Sequence, residues 1–500
     1  MEPPTPRKRR YQLPSLIGVA LFVTGVVIAL TLILVESTAR QSPAYLGVAY
    51  ILPLLLILTG GVLLLIGWAL PAKTDKPNRL RAAVDRFTLA APLTAMALLV
   101  GGVVLVTVML GVGSYRVYHV TESNEFCGEM CHQAMHPEFT AYRHTSHARV
   151  ECVSCHVGNG PTWYMRAKFS GLRRLAAVIT DDFARPIPTP IHSMRPARDT
   201  CETCHWPSRF IGYKEKVRTF FLSDKENTPH HLRLLMKIGG RKSDTVMGFG
   251  IHYHMLVAAK VEYIARDPRN QEIAWVRIQR EDGSVTEYQD RSQPLSEQER
   301  AALDVKTMSC LDCHNRPAHQ FSPPIDSVDE AMANGQIAAT LPFIKAEAVR
   351  ALSAKYATAD EAMTGIASRL RDFYRKNLPE TVEQDGAALR QAIEETQSIY
   401  KGSIFPEMKA DWSRYPNNLG HRDWPGCFRC HNDKLESADG LTIFTACNKC
   451  HLILAQGKEV NKVSVDYQEG LKFYHTEDED FIDEYTECTD CHTGGADLWD

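Results

Sequence analysis

Three uncharged apolar runs dominate the start of the chain. Leu13–Val35 has 23 residues, Tyr45–Leu70 has 26 and Phe87–Gly113 has 27. A bilayer core is crossed by about 20 apolar residues in a helix, so the pattern predicts three transmembrane helices over 13–113. Pro53 and Pro92 predict kinks, which such helices tolerate. Flanking cations set the orientation. Arg7, Lys8, Arg9 and Arg10 precede the first run, only Arg40 follows it, and Lys73, Lys76, Arg79, Arg81 and Arg86 follow the second. That alternation predicts a cytoplasmic basic tail over 1–12 and everything after Gly113 outside. In a bacterium with two membranes, the outside is the periplasm.

Beyond residue 113 the periodicity weakens. Lys260–Ile264 and Ala274–Ile278 alternate with period two, and Glu281-Asp-Gly-Ser is a turn signal before Val285. A small β-hairpin follows from that pattern. Ser327 with Glu330, and Thr358 with Glu361, have capping-box spacing ahead of helical patterns. Two or three helices are expected over 327–400. The predicted fold class is therefore a three-helix transmembrane anchor plus a periplasmic multihaem domain, mainly α and irregular, with a small β-hairpin insert.

The haem expectation comes from cysteine. All 14 cysteines fall in seven pairs: Cys127/Cys131, Cys152/Cys155, Cys201/Cys204, Cys310/Cys313, Cys427/Cys430, Cys447/Cys450 and Cys488/Cys491. Each second Cys precedes a histidine: His132, His156, His205, His314, His431, His451 and His492. Six pairs read C-x-x-C-H and the first reads C-x-x-x-C-H. C-x-x-C-H is the attachment signature of c-type haem, with two thioethers and an axial histidine. Zinc knuckles or redox dithiols are the rival for a single copy, but seven copies with no spare cysteine favour seven covalent haems c. Covalent attachment belongs on the side to which the charges assign this part of the chain. The net charge of -3 excludes the basic excess of a nucleic-acid binder.

Subtracting the seven motif histidines from 19 leaves twelve. Position singles out His147, His192, His252, His319, His421 and His475 as distal ligands, with Met135 at the first haem. His136 competes with Met135, and His254 with His252. Saturated irons carry electrons and do not activate small substrates, and histidine pairs favour low potentials. The implied organisation is 114–220 as a first trihaem module, 221–300 as a β-containing insert that supplies a distal histidine and 301–325 around the fourth haem. A helical insert at 326–410 and a second trihaem module at 411–500 complete it. Eight carboxylates between Glu477 and Asp490 suit the docking of a lysine-rich carrier.

The stretch Cys127-Gly-Glu-Met-Cys-His-Gln-Ala-Met-His-Pro-Glu-Phe-Thr-Ala-Tyr142 resembles the NapC/NirT family of membrane-anchored quinol-oxidising cytochromes. So do Ser146-His-Ala-Arg-Val-Glu-Cys-Val-Ser-Cys-His156, Tyr164 with Lys168 and Gly171, and Cys201-Glu-Thr-Cys-His-Trp-Pro207. The seven-motif layout, with Gly420-His421 ahead of Cys427, resembles a narrower heptahaem group of metal-reducing bacteria. The resemblance implies menaquinol as substrate at the bilayer and periplasmic c-type cytochromes as acceptors in anaerobic or extracellular respiration. It also implies Lys168 beside the quinol pocket, Met135 near the first iron, and His147 and His192 as distal ligands. The family's acidic residue seven positions after the lysine is Leu175 here, so Asp181 or Asp182 is the substitute, and His119 is a candidate proton acceptor. Two other functions fit the same residues: a terminal reductase of nitrite or a similar oxidant with one open haem, and a tethered relay without quinone chemistry.

Overall fold

The structure is a computed structural model. It describes residues 13–38, 51–69, 115–130, 132–158, 161–189, 195–239, 250–256, 258–443, 445–458, 469–476 and 488–492, with isolated residues between 101 and 113. The chain forms two compact units. One comprises Met1–Met130 with Glu151–Ala176, the other Cys131–Val150 with Ala177–Asp500.

In the first unit, helices α1 (Leu13–Thr38) and α2 (Ile51–Ala69) run antiparallel and touch through backbone. A Cβ on Gly25 would lie 2.8 Å from the Pro53 carbonyl, and one on Gly60 would lie 2.5 Å from the Phe22 nitrogen. Only glycine permits that approach. The three-helix transmembrane anchor is corrected here. Among the described residues no helix is long and apolar enough to cross a membrane. Most of the third run lies outside the described residues, as does the tail 1–12. An apolar run commits a segment to a nonpolar helix, but it does not by itself set how much of it one helix carries.

The second unit is mixed, which corrects the mainly α and irregular expectation. Its strands are β1 (Gly212–Phe221), β2 (Pro229–Gly239), β3 (Ala258–Ala265), β4 (Ile273–Arg280), β5 (Val285–Asp290), β6 (Lys306–Thr307), β7 (Leu435–Ser437) and β8 (His451–Gly457). They form a three-stranded sheet, β1-β2-β8, and a five-stranded sheet, β6-β3-β4-β5-β7. The expected hairpin is the β4–β5 pair within this larger sheet. Trp275, Val276, Tyr263 and Ile264 are buried there. The β1–β2 hairpin gives no period-two signal, because β1 is largely exposed and carries Lys214, Glu215, Lys216 and Arg218. Its pairing to β2, in register from Tyr213–Lys237 to Phe221–Pro229, defines it.

The helical insert holds five helices, Pro324–Ala333, Ile344–Ser353, Ala359–Asn377, Pro379–Gln384 and Gly386–Ser403, where two or three were expected. Thr358 caps the third by accepting from the Glu361 nitrogen at 3.1 Å. Ser327 lies inside the first helix, which begins three residues earlier at Pro324, a favoured first-turn residue. Ile344, Leu352, Ile366, Leu370, Tyr374 and Tyr400 build the core. Two polar pins join the β1–β2 hairpin to this bundle. Asn227, in the turn, donates to the Ala339 and Leu341 carbonyls at 3.0 and 2.8 Å and accepts from the Lys345 nitrogen at 3.0 Å. Asp329 accepts from the Phe221 nitrogen at 2.9 Å and pairs with buried Lys345 at 2.5 Å.

Lys345 also donates to the Ile325 carbonyl at 2.6 Å, so both charges are satisfied. Removing one partner leaves the other charged and buried, at a cost of roughly 3–5 kcal/mol. Lys345→Met is therefore expected to lower the thermal unfolding midpoint of the haem-loaded protein followed by circular dichroism. The double variant Lys345→Met/Asp329→Asn should recover part of that loss.

Candidate haem and quinol sites

The attachment motifs wind as single turns. Cys152–His156, Cys310–Cys313 and Cys447–Cys450 are α-helical, which puts the two thiols of a C-x-x-C on one face. The histidine nitrogen closes the turn on the first cysteine: His205 on Cys201, His314 on Cys310 and His492 on Cys488, each at 2.8 Å, and His431 on Cys427 at 3.1 Å. The longer first motif begins differently. Phe126–Met130 is a π-turn, the wide turn that takes up one extra residue. Cys127 and Cys152 are hydrogen-bonded to each other, which lowers the Cys127 pKa to about 7. Cys131, the ring of His132, and His192 lie outside the described residues.

None of the described cysteines is in a disulfide. Cys155 is half-buried within its helical turn, as are most of the others, whereas Cys204, Cys447 and Cys491 are exposed. Cys204 and Cys491 each close a turn at its end, through their nitrogens on the Cys201 and Cys488 carbonyls at 3.2 and 3.3 Å. Cys204 Sγ lies 3.9 Å from Thr203 Oγ1, itself exposed.

Ten of the described histidines meet in twos. Among the described residues no group of three or more His, Cys, Asp or Glu gathers as a cation site. Ring centroids are 6.0 Å apart for His147 and His205, and 6.4 Å for His252 and His314. They are 5.9 Å apart for His254 and His431, 6.3 Å for His421 and His451, and 6.0 Å for His475 and His492. Two metal–imidazole bonds of about 2 Å, plus about 1 Å from each nitrogen to its ring centre, give about 6 Å. The spacing therefore fits one iron between each pair, with the porphyrin supplying the other four ligands. Each pair joins a motif histidine to one from elsewhere in the chain.

Hydrogen bonds orient several of these rings. His147 Nδ1 meets the Pro317 carbonyl at 3.1 Å, and His252 Nδ1 meets the Ile238 carbonyl at 3.0 Å. His319 Nδ1 meets the Glu138 carbonyl at 2.9 Å. A carbonyl only accepts, so each Nδ1 carries the proton and Nε2 keeps its lone pair for a metal. Burial, with His431 nearby, lowers the His254 pKa to about 4, and burial, with His421 nearby, lowers that of His451 to about 4. Burial likewise lowers His314, His421 and His492. Neutral rings are the form that ligates metal.

Neighbouring motifs are tied to one another. Arg429 in the fifth donates to the Asp312 carbonyl in the fourth at 2.7 Å. Cys427 donates through its nitrogen to the Gly420 carbonyl at 3.2 Å, and His421 stacks on Phe428 at 4.2 Å. His421 Nδ1 lies 4.0 Å from Cys488 Sγ of the seventh motif.

Of the histidines singled out by position, His147, His252, His421 and His475 thus each meet a motif histidine. His319 packs on the helix His132–Arg143 through Glu138, alongside the Arg316–Glu138 ion pair at 2.8 Å. Met135 is half-buried on that helix, and His136 is exposed with its ring 5.3 Å from Phe405. His254 was set against His252 on the assumption of strand alternation. The segment is instead a turn running into the short helix Tyr253–Leu256, so the two rings diverge to different partners.

The first unit contains a separate polar cluster. Lys168, on the helix Pro161–Ile179, forms an ion pair with Glu122. Its Nζ donates to Thr121 Oγ1 at 3.3 Å and lies 5.2 Å from the Tyr164 ring centre. Glu122 is buried; Tyr118 stands 6.1 Å from Tyr164. His119 is exposed, 4.3 Å from Tyr115. Glu122 was not singled out from sequence; its only signal is a lone acid at the end of a helical segment. Asp181 pairs with Arg185 at 2.5 Å, with its side chain 65% exposed, and the Asp182 nitrogen bonds the Ala177 carbonyl at 2.8 Å. Met165, Phe169 and Leu172 form an exposed apolar stripe at helical spacing, bordered by Arg166 and Arg173.

Residues 90–187 match the NapC/NirT cytochrome c family, N-terminal region. The chain is 42% identical over 395 residues to the cytochrome c-type protein ImcH of Geobacter sulfurreducens, covering 79% of this chain and 76% of that protein. No solved structure matches the chain.

The loop between His421 and Cys427 depends on one glycine. Gly426 has φ +52, and a Cβ there would lie 1.8 Å from the Gly420 carbonyl oxygen. Gly426→Ala should lower the urea midpoint by an amount equivalent to roughly 1–3 kcal/mol from backbone strain alone. Gly440→Ala, at φ +79 with its nearest neighbour 3.9 Å away, lacks the clash and should cost less.

Proposed function

Because this chain belongs to the NapC/NirT family of multihaem c-type cytochromes, we propose that it is a heptahaem quinol dehydrogenase. It oxidises menaquinol at a membrane surface and delivers electrons to periplasmic cytochromes, in anaerobic or extracellular respiration. Covalently held haem c would supply reversible one-electron chemistry at each motif, with a potential set largely by the axial ligands. The seven cysteine pairs would hold the porphyrins by thioethers, the exposed Cys204 and Cys491 included. His205, His314, His431, His451 and His492 would ligate one side of five irons. The five imidazoles facing them would fill the other side, an arrangement that supports electron transfer over small-molecule reduction at those positions. His132 and His156 would each ligate one side of the first two irons; Met135, His192 and His319 are the remaining candidate ligands.

The observation that carries the quinol reading is the Lys168–Glu122 pair. Quinol oxidation requires a cation near the developing quinolate oxygen and a base for the proton. Lys168 supplies the first. Glu122, buried in an ion pair with it, supplies the second, in the place first sought at Asp181 or Asp182. His119, exposed on the same helical segment, is suited to pass the proton outward. The apolar stripe Met165, Phe169 and Leu172, flanked by arginines, has the character of a face that meets lipid headgroups and acyl chains. A lipid-borne quinol would arrive there.

The test is anaerobic addition of a reduced menaquinol analogue to the oxidised protein in nanodiscs, followed in the haem α-band. Lys168→Ala and Glu122→Gln should each slow reduction by on the order of 10²-fold, with reduction by dithionite unchanged. Wild-type rates in both variants would overturn the site. Electron delivery supports a second expectation. The acidic run 477–487 lies outside the described residues, and its docking role rests on charge alone. Transfer to a lysine-rich cytochrome should slow steeply with rising ionic strength, and a salt-independent rate would remove that role.

A further inference from the structure

His252 and His254 stand two residues apart, so their Cα atoms are at most about 7 Å apart. Their rings nonetheless face different motif histidines. His252 lies nearly parallel to His314, at 6.4 Å with 9° between planes. His254 is crossed with His431, at 5.9 Å and 71°. His252 is held by the Ile238 carbonyl at 3.0 Å, and His254 sits on the short helix Tyr253–Leu256. The two attachment turns are also joined on their far side. Asp312, between Cys310 and Cys313, offers its carbonyl to Arg429 Nη2 at 2.7 Å and to Asn418 Nδ2 at 2.9 Å. Its carboxylate takes the Tyr263 hydroxyl and the Ser309 nitrogen. Arg429 itself sits between Cys427 and Cys430 and donates to the Asn270 carbonyl at 2.8 Å.

We propose that His252 and His254 are the distal ligands of two different irons, those of the Cys310–His314 and Cys427–His431 motifs. One three-residue segment then yokes two haems into an electron-sharing pair, with the Arg429–Asp312 contact joining their attachment turns. This rests on the haem-binding part of the reading above and not on quinol chemistry. A ring facing one iron at axial distance cannot also serve a second, so the two partners rule out the competition that spacing alone suggested. The pair bridges a long stretch of sequence, because the helical insert separates the fourth motif from the fifth. It is electrostatically coupled, since an electron on one member disfavours an electron on its neighbour.

The ring planes make the assignment measurable. Parallel imidazoles split the iron d-orbitals strongly and give a rhombic low-spin signal in electron paramagnetic resonance. Crossed imidazoles leave them nearly degenerate and give a highly anisotropic signal. The experiment uses the full-length, haem-loaded protein, poised with dithionite and mediators, so that its outcome is independent of quinol oxidation. Haem content by mass should stay at the wild-type value in His254→Met and His252→Met; a lower count in the wild type itself would instead count against the haem reading. His254→Met should lose one haem's worth of highly anisotropic signal and gain a methionine–iron charge-transfer band and a raised potential. His252→Met should lose one haem's worth of rhombic signal. The proposal is overturned if His254→Met keeps every low-spin signal, or if both variants remove the same one. Should a variant not assemble, the wild-type protein decides. Reduction of a rhombic component should slow spin relaxation of a highly anisotropic one, and unchanged relaxation throughout the titration would refute the pair.

Discussion

Imidazole facing imidazole at about six ångströms is the constraint around which the second unit is arranged. Five times among the described residues, a motif histidine is met by a ring from another segment, and each meeting needs backbone to hold both rings. The supporting structure is correspondingly varied: carbonyls at Pro317 and Ile238, a glycine loop at Gly420–Gly426, and the strand β8 that begins at His451. The two sheets and the helical bundle serve to bring sequence-distant rings together. A carbonyl at Nδ1 matters most, because it fixes the tautomer that leaves Nε2 available.

The polar contacts within the second unit have the same purpose. Arg429 ties the fifth motif to the fourth, and the Gly420–Cys427 hydrogen bond brings His421 against the fifth while it faces His451 of the sixth. Arg422, next to His421, is held by Asp326 at 2.6 Å and Asp423 at 2.7 Å. A fold that leaned only on porphyrin burial would leave these turns free to slide. Directional hydrogen bonds and buried ion pairs remove that freedom, since each is costly to leave unmade.

The first unit follows a different logic. Its functional candidate is one ion pair beside two tyrosines and an exposed apolar stripe. A buried ion pair of this kind depends on both members, since removing one leaves the other buried and uncompensated.

The chemistry was legible in the sequence because covalent attachment requires cysteines and a histidine at fixed local spacing. C-x-x-C-H is a single turn, and its meaning does not depend on the fold. The first two apolar runs were legible as helices for the same local reason, and Thr358 as a cap. What depends on distance along the chain was not. The sheets escaped because β1 is charged and exposed, and β6 and β7 are short edges recruited from afar. Glu122 escaped because its lysine is 46 residues away. Counting histidines found four of the five partners but could not match them to irons, and period-two reasoning placed His254 in competition with its neighbour. Pairing is a property of where two segments cross, and that crossing is decided only when the turn at 250–256 and the motifs at 310–314 and 427–431 pack together.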